Sequence, residues 1–245
     1  MAYGEAVAWQ TESEAELTPN TVEWNGCQLI NASAADTVRW LADTLAEGER
    51  KRLSFTSAHT LHLAQHDPYL ATALRRMDAL LPDGSGVAVA ERMTGHRFMV
   101  NLNPRDLIPA LLRALPSATT FFQLGSRPEV TERVAINLKE TWPHLRLVGC
   151  QDSSFDLWES ASLVERINTR KAQVVMVGMD APRQQLWMDR YAHHLEANLV
   201  IGVGSLFDFA ANHTFDHRRE AGRLSSKGAW RLQVGGPVFQ RNAAL

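Results

Sequence analysis

The sequence predicts an α/β protein: a Rossmann-like, mostly parallel sheet with helices on both faces, followed by a short basic C-terminal appendage. Three observations predict it. From Thr119 to Gly204, β-rich apolar runs alternate with stretches of helical periodicity. The runs are apolar throughout, as in strands buried on both faces. They also end in glycine, at Gly125, Gly149, Gly178 and Gly204.

Taken in order, residues 1–20 are acidic and polar, with Glu12, Glu14 and Glu16, and read as a loosely ordered lead-in. Residues 21–215 read as the folded domain. Cys27–Asn31 is a first strand, and Ser33 caps a helix carrying Val38, Leu41 and Leu45 that stops at Gly48. Arg52–Ser57 is a second strand. Helices follow over His59–Gln65 and Pro68–Met77, and Ala79–Leu81 is the strand that delivers Asp83. Gly84–Met93, closed by Gly95, and Arg105–Ala114, after Pro104, are helical. Strands at Thr119–Gly125, Leu145–Gly149, Val174–Gly178 and Leu199–Gly204 then alternate with helices over Glu129–Trp142, Leu157–Thr169 and Pro182–His194. Residues 216–245 form the appendage, in which Arg218, Arg219, Arg223, Lys227, Arg231 and Arg241 are interleaved with Trp230, Leu232, Val234 and Phe239.

Composition narrows the function classes. Charged residues make up 21% and hydrophobic residues 45% of 245, as in ordinary soluble globular proteins. A formal charge of -2 gives no nucleic-acid footprint. The 2 cysteines, Cys27 and Cys150, lack metal-site spacing and suit a reducing compartment. No signal peptide or membrane-spanning run is visible, so the expected location is cytoplasmic, with any membrane contact peripheral.

Three stretches carry chemistry. Leu80–Val87 ends a strand in Pro82, Asp83 and Gly84, displaying one carboxylate at a strand end, where open α/β sheets bind ligands; an Asp-Gly turn of no function is the bland alternative. In Val177–Trp187 a strand meets Gly178, a loop and a helix start. The N–H groups there favour an anion, Arg183 adds charge and Gln184 can bond a sugar hydroxyl. In Gly202–Phe209 a strand ends in glycines and Asp208 follows among aromatics, as substrate contact or as a helix cap. The ligand should therefore lie near Thr56, Asp83, Gly125, Gly178 and Gly204. His59, His62 and His66 would share a helix face, but exposed or capping histidines are the commoner outcome. A P-loop, a hydrolase elbow, a complete dinucleotide fingerprint and an Asp-x-Asp metal motif are all absent.

In their order and spacing these stretches resemble the WecG/TagA/CpsF family of glycosyltransferases, over about Gly26 to Phe209. The residues that carry the resemblance are Thr56, Asp78–Val87, Asp106–Pro109, Phe122–Gly125, Val177–Gly178, Ala181–Trp187 and Val203–Phe209. The resemblance implies a cytoplasmic, inverting, metal-independent enzyme that needs no cofactor. Its donor would be a UDP-sugar, its acceptor a polyprenyl-diphosphate-linked sugar, and its contact with the inner membrane face peripheral; a homo-oligomer is left open. Asp83 would be the base and Thr56 would position a sugar. Gly84, Asn103, Asp106, Gly125, Gly178, Arg183, Gln184, Gly204 and Asp208 would bind substrate, helped by Arg218 and Arg219 of the appendage.

The chain also departs from the family. Asn101 stands where the family often has Arg, with Arg97 and Arg105 nearby, Ser57-Ala58 follows Thr56 without the family's Asn, and Gln184-Gln185 replaces a Gln-Glu pair. These departures fit the exopolysaccharide branch, with UDP-glucose as donor, as well as the N-acetylmannosamine branch. The competing readings are a non-catalytic sugar-nucleotide or lipid-binding protein and a Rossmann-like oxidoreductase. The missing glycine fingerprint disfavours the oxidoreductase.

Overall fold

The computed structural model of the protein describes residues 18–212. The lead-in up to residue 17 and the appendage, with Arg218, Arg219 and Arg223, lie outside the described residues. The strands are β1 (Thr21–Trp24), β2 (Cys27–Ile30), β3 (Lys51–Thr56), β4 (Ala79–Pro82), β5 (Thr120–Gly125), β6 (Arg146–Gln151), β7 (Val174–Gly178) and β8 (Leu199–Gly202). They form one sheet in the order β1-β2-β4-β3-β8-β7-β5-β6. Every pairing is parallel except β1 with β2. The expected mostly parallel α/β sheet is what the chain forms.

The helices are α1 (Ala34–Ala46), α2 (Ala58–Ala64), α3 (Pro68–Arg75), α4 (Ser85–Thr94), α5 (Pro104–Ala114), α6 (Pro128–Thr141), α7 (Ala161–Thr169), α8 (Arg183–Tyr191) and α9 (Leu206–Asn212). Their starts follow local chemistry. The Ser33 hydroxyl accepts the Asp36 N–H, the Ser57 hydroxyl that of Thr60, and the Asp67 carboxylate those of Tyr69 and Leu70. Such caps are worth about 1 kcal/mol each.

Because strand side chains alternate between faces, each β-run feeds two cores. One face carries Leu53, Leu81, Phe121, Val174, Met176 and Ile201 beneath α1, α5, α6 and α9. The other carries Leu29, Leu80, Phe122, Val175, Val177 and Val200 beneath α2, α3, α4, α7 and α8. Strands covered on both faces have no polar side to show, which is why the sequence lacks alternation there.

Several boundaries differ from expectation; β6 runs past Gly149 to Gln151 and β8 ends at Gly202, before Gly204. β1 precedes the strand expected first, and it closes on β2 through Asn25 (φ 48°) and Gly26 (φ 79°), the left-handed pair of a two-residue hairpin turn. The Asn-Gly dipeptide is the sequence signal for it. α7 begins at Ala161, not at Leu157. The Tyr191 hydroxyl donates to the Trp158 carbonyl and accepts the Ser160 N–H at 3.2 Å, which holds residues 157–160 out of the helix. Pro182 sits at the cap of α8 and not inside it, and Ala192–His194 is a separate 3-10 turn.

The topology positions the site. β3 and β8 are neighbours, yet the chain leaving β3 enters α2 on one face while the chain leaving β8 enters α9 on the other. The carboxyl ends of two adjacent strands whose connections diverge form a crevice, the switch point at which open α/β sheets bind ligands. Among the described residues no helix is long and apolar enough to cross a membrane.

Candidate active site

The crevice holds a cavity of about 480 Å³. Its wall is built from the ends of β3 (Phe55, Ser57), the Asp83–Gly84 turn, the start of α5, the β7–α8 connection and the β8–α9 connection. Asp83 continues the β3–β4 ladder by one step: its backbone N–H donates to the Thr56 carbonyl at 3.1 Å. The chain then reverses. The Gly86 N–H donates to the Asp83 carbonyl at 2.8 Å, with Gly84 at φ 56° and ψ -126°, the first central position of a type II′ turn. Asn101 Oδ1 accepts the Gly84 N–H at 2.8 Å and pins the turn from outside. The two glycines serve different ends. Gly84 has open space around it and is needed for its dihedrals, whereas a Cβ on Gly86 would lie 2.5 Å from the Thr56 carbonyl oxygen.

The Asp83 side chain is half-buried, and its Oδ1 is shut away with no hydrogen-bond partner. Burial pushes its carboxyl above the ordinary value of 3.8; the Arg105 guanidinium opposes the shift and the Asp106 carboxylate adds to it. Arg105 lines the same cavity from the first turn of α5 and lies over the Phe209 ring, 4.3 Å from its centroid. His59 completes a polar rim.

Of the residues expected at the site, Asp83, Gly84, Asn103, Gln184 and Gly204 meet in this cavity. Asn103 caps α5, its Oδ1 accepting the Arg105 N–H at 2.8 Å. Gln184 is a brace: its Oε1 accepts the Gly204 N–H at 2.8 Å and the Met179 N–H at 3.4 Å, tying two lips of the crevice together. A second, smaller cavity of about 270 Å³ shares Met179, Asp180, Gly204 and Ser205 with the first and takes in Gly178, Arg183 and Asp208. There one Arg183 nitrogen donates to the Ser153 and Phe155 carbonyls, both at 2.8 Å, while its Nε stays buried and unpartnered. Asp208 lies within the first turn of α9 and pairs with Arg127 at 3.6 Å.

Three expected residues stand elsewhere. Thr56 is fully buried outside the cavity lining, its hydroxyl donating to the Ser54 carbonyl at 3.3 Å; strand alternation gives the cavity Phe55 and Ser57 instead. Asp106 is an exposed first-turn residue of α5 that does not line the cavity and acts on Asp83 through its charge. Gly125 is glycine for packing: a Cβ there would fall 2.2 Å from the Gly178 carbonyl oxygen. Among the described residues no three metal-ligating side chains come together. His62 and His66 stack edge to face at 5.2 Å.

Gln185 and Asn101, noted in the sequence only as departures from the family pattern, are two polar groups that the structure adds to the site. Gln185 is 2% exposed and lines the larger cavity. The Gln184-Gln185 pair was visible in the sequence, but the helical rotation that divides their roles was not.

The sequence model that describes the WecG/TagA/CpsF family of glycosyl transferases matches residues 22–232, from β1 through the whole sheet and on past Asn212. A sheet of the expected topology, a cavity at its switch point and a match over most of the chain agree: this chain belongs to the WecG/TagA/CpsF family of glycosyl transferases, a family of cell-envelope polymer biosynthesis.

Proposed function

We propose that the protein transfers a sugar from a UDP-sugar to a polyprenyl-diphosphate-linked sugar, with inversion and without a metal, at the inner membrane face. The observation that carries this reading is Asp83. It is a carboxylate of raised proton affinity at the mouth of a parallel sheet, with one oxygen buried and unpartnered, on a residue that lines a cavity large enough for a sugar. The acceptor hydroxyl oxygen attacks the anomeric carbon as the bond to the UDP oxygen breaks. Asp83 takes the hydroxyl proton, and the electron pair of the broken bond leaves with UDP. Arg105, on the cavity wall, offsets the charge gathering on the diphosphate, aided by Arg218 and Arg219 of the appendage. The lack of an Asp-x-Asp motif supports the metal-free course.

In this reading residues 21–215 are the catalytic domain and 216–245 the segment that meets anionic lipid. The exopolysaccharide branch, with UDP-glucose as donor, fits the chain's departures at least as well as the branch that uses UDP-N-acetylmannosamine or its uronate. The test is radiolabel transfer from each of these donors to a short-chain polyprenyl-diphosphate sugar, with and without a chelator. Product of inverted anomeric configuration in chelator is expected. Transfer that requires added manganese, or none from any donor, defeats the proposal.

A further inference from the structure

Among the described residues nothing satisfies one side-chain acceptor of Gln185, its Oε1. The Ser54 hydroxyl directs its one proton at the Phe55 carbonyl at 3.1 Å, and its oxygen then serves as an acceptor. Gln184 uses its Oε1 on the Gly204 and Met179 N–H groups, which turns its Nε2 to Ser54 Oγ at 3.4 Å. Gln185 Nε2 approaches the same oxygen at 3.3 Å. In this arrangement both amide Nε2 groups point at Ser54 Oγ, which leaves Gln185 Oε1 buried and without a partner among the described residues. A buried acceptor in that state disfavours the empty site until a donor reaches it.

A second such atom, Asp83 Oδ1, belongs to another residue that lines the same cavity. Two unsatisfied acceptors on residues lining one cavity suit a ligand with several O–H donors, and a pyranose has them. Resting on the transferase reading above, we propose that Gln185 is a specificity-determining residue. Its Oε1 accepts a hydrogen bond from a hydroxyl of the bound sugar other than the one Asp83 deprotonates. A site built to receive a hydroxyl rejects the analogue that lacks it, because its own polar group is then left unpaired. The hydroxyl belongs either to the transferred sugar or to the lipid-linked one, and kinetics separate the two.

The test compares wild type with Gln185→Met, which removes the acceptor at similar volume. It adds Gln185→Glu, toward which the Ser54 hydroxyl can turn its proton so that one oxygen remains as an unsatisfied acceptor. The measurements are kcat, KM for the UDP-sugar, KM for the lipid-linked acceptor, the affinity for UDP alone, and Tm. The Met variant is expected to raise one KM about tenfold, leave UDP affinity and the other KM within twofold, and leave Tm no lower. The Glu variant recovers most of the loss. A donor-side KM effect places the hydroxyl on the transferred sugar, and an acceptor-side effect places it on the lipid-linked one.

A set of monodeoxy sugars then locates the hydroxyl. Wild type and the Glu variant discriminate against one analogue, and the Met variant does not. Should the Met variant fail to fold, the deoxy series on wild type and the Glu variant decides alone. Unchanged KM values, equal penalties at every deoxy position, or a joint fall of Tm and UDP affinity would each overturn the proposal. These outcomes require that wild type transfers sugar, so they are distinct from the absence of transfer that defeats the reading beneath it.

Discussion

The backbone of Thr56 holds Asp83 in place: the Asp83 N–H donates to the Thr56 carbonyl at 3.1 Å, while the Thr56 side chain is fully buried outside the cavity. The strand end thus fixes the Asp83 backbone through a main-chain bond, and the residue lines the cavity while one carboxylate oxygen stays buried without a partner. A base needs such fixed geometry before any tuning of its proton affinity matters.

Asp83→Asn keeps the shape and removes the proposed base. Turnover should fall by roughly 10²–10⁴-fold while UDP binding by calorimetry is unchanged. In the wild type kcat/KM should fall at low pH along a limb centred above 3.8, because the raised carboxyl must be ionised to act. Wild-type turnover in the Asn variant rules Asp83 out as the base.

The same variant should be more stable at neutral pH. Burial raises the folded-state value of Asp83 above its unfolded one, so the native state binds the proton more tightly. The stability this lends is fully present below about pH 3.8 and is lost as pH rises through the folded value. Urea midpoints of Asp83→Asn and wild type should therefore differ at pH 7 in favour of Asn and converge in strong acid.

Gly84→Ala and Gly86→Ala should fail differently. Alanine at residue 84 meets no neighbour but must adopt φ 56° and ψ -126°, at a cost of about 1–3 kcal/mol. Alanine at residue 86 drives a Cβ into the Thr56 carbonyl oxygen, pushing α4 from β3 and shifting the bond that seats Asp83. We expect the larger loss of both Tm and kcat at 86; equal losses would reject the division of roles.

Gln184→Met leaves the Gly204 and Met179 N–H groups without their acceptor. About 1–3 kcal/mol of stability should go for each group left buried and unpaired, seen in chemical denaturation, and donor KM should rise as the lips of the crevice loosen. A variant as stable as wild type would show that the brace contributes nothing.

A chain ended at Thr214 keeps both described cores. It should unfold at the wild-type Tm, yet no longer sediment with vesicles of anionic lipid and lose most transfer activity. Full activity in the shortened chain would remove the appendage from the mechanism.

The alternation of apolar runs and helical stripes was legible along the chain because a strand buried on both faces, and a helix buried on one, each impose a period that nearest neighbours alone reveal. Asp83 was legible for a related reason: a strand, a proline and two glycines specify a turn whatever surrounds them. The hairpin at Asn25-Gly26 carried a local signal too. Which side of β3 met the cavity, that Gly125 serves packing, that Gln184 is spent as a brace and that Gln185 keeps a free acceptor were all beyond local reading. Each depends on which atom of a distant segment (Ser54, Gly178 or Gly204) comes within hydrogen-bond or van der Waals reach, and only the pairing of β3 with β8, β8 with β7 and β7 with β5 brings those atoms there.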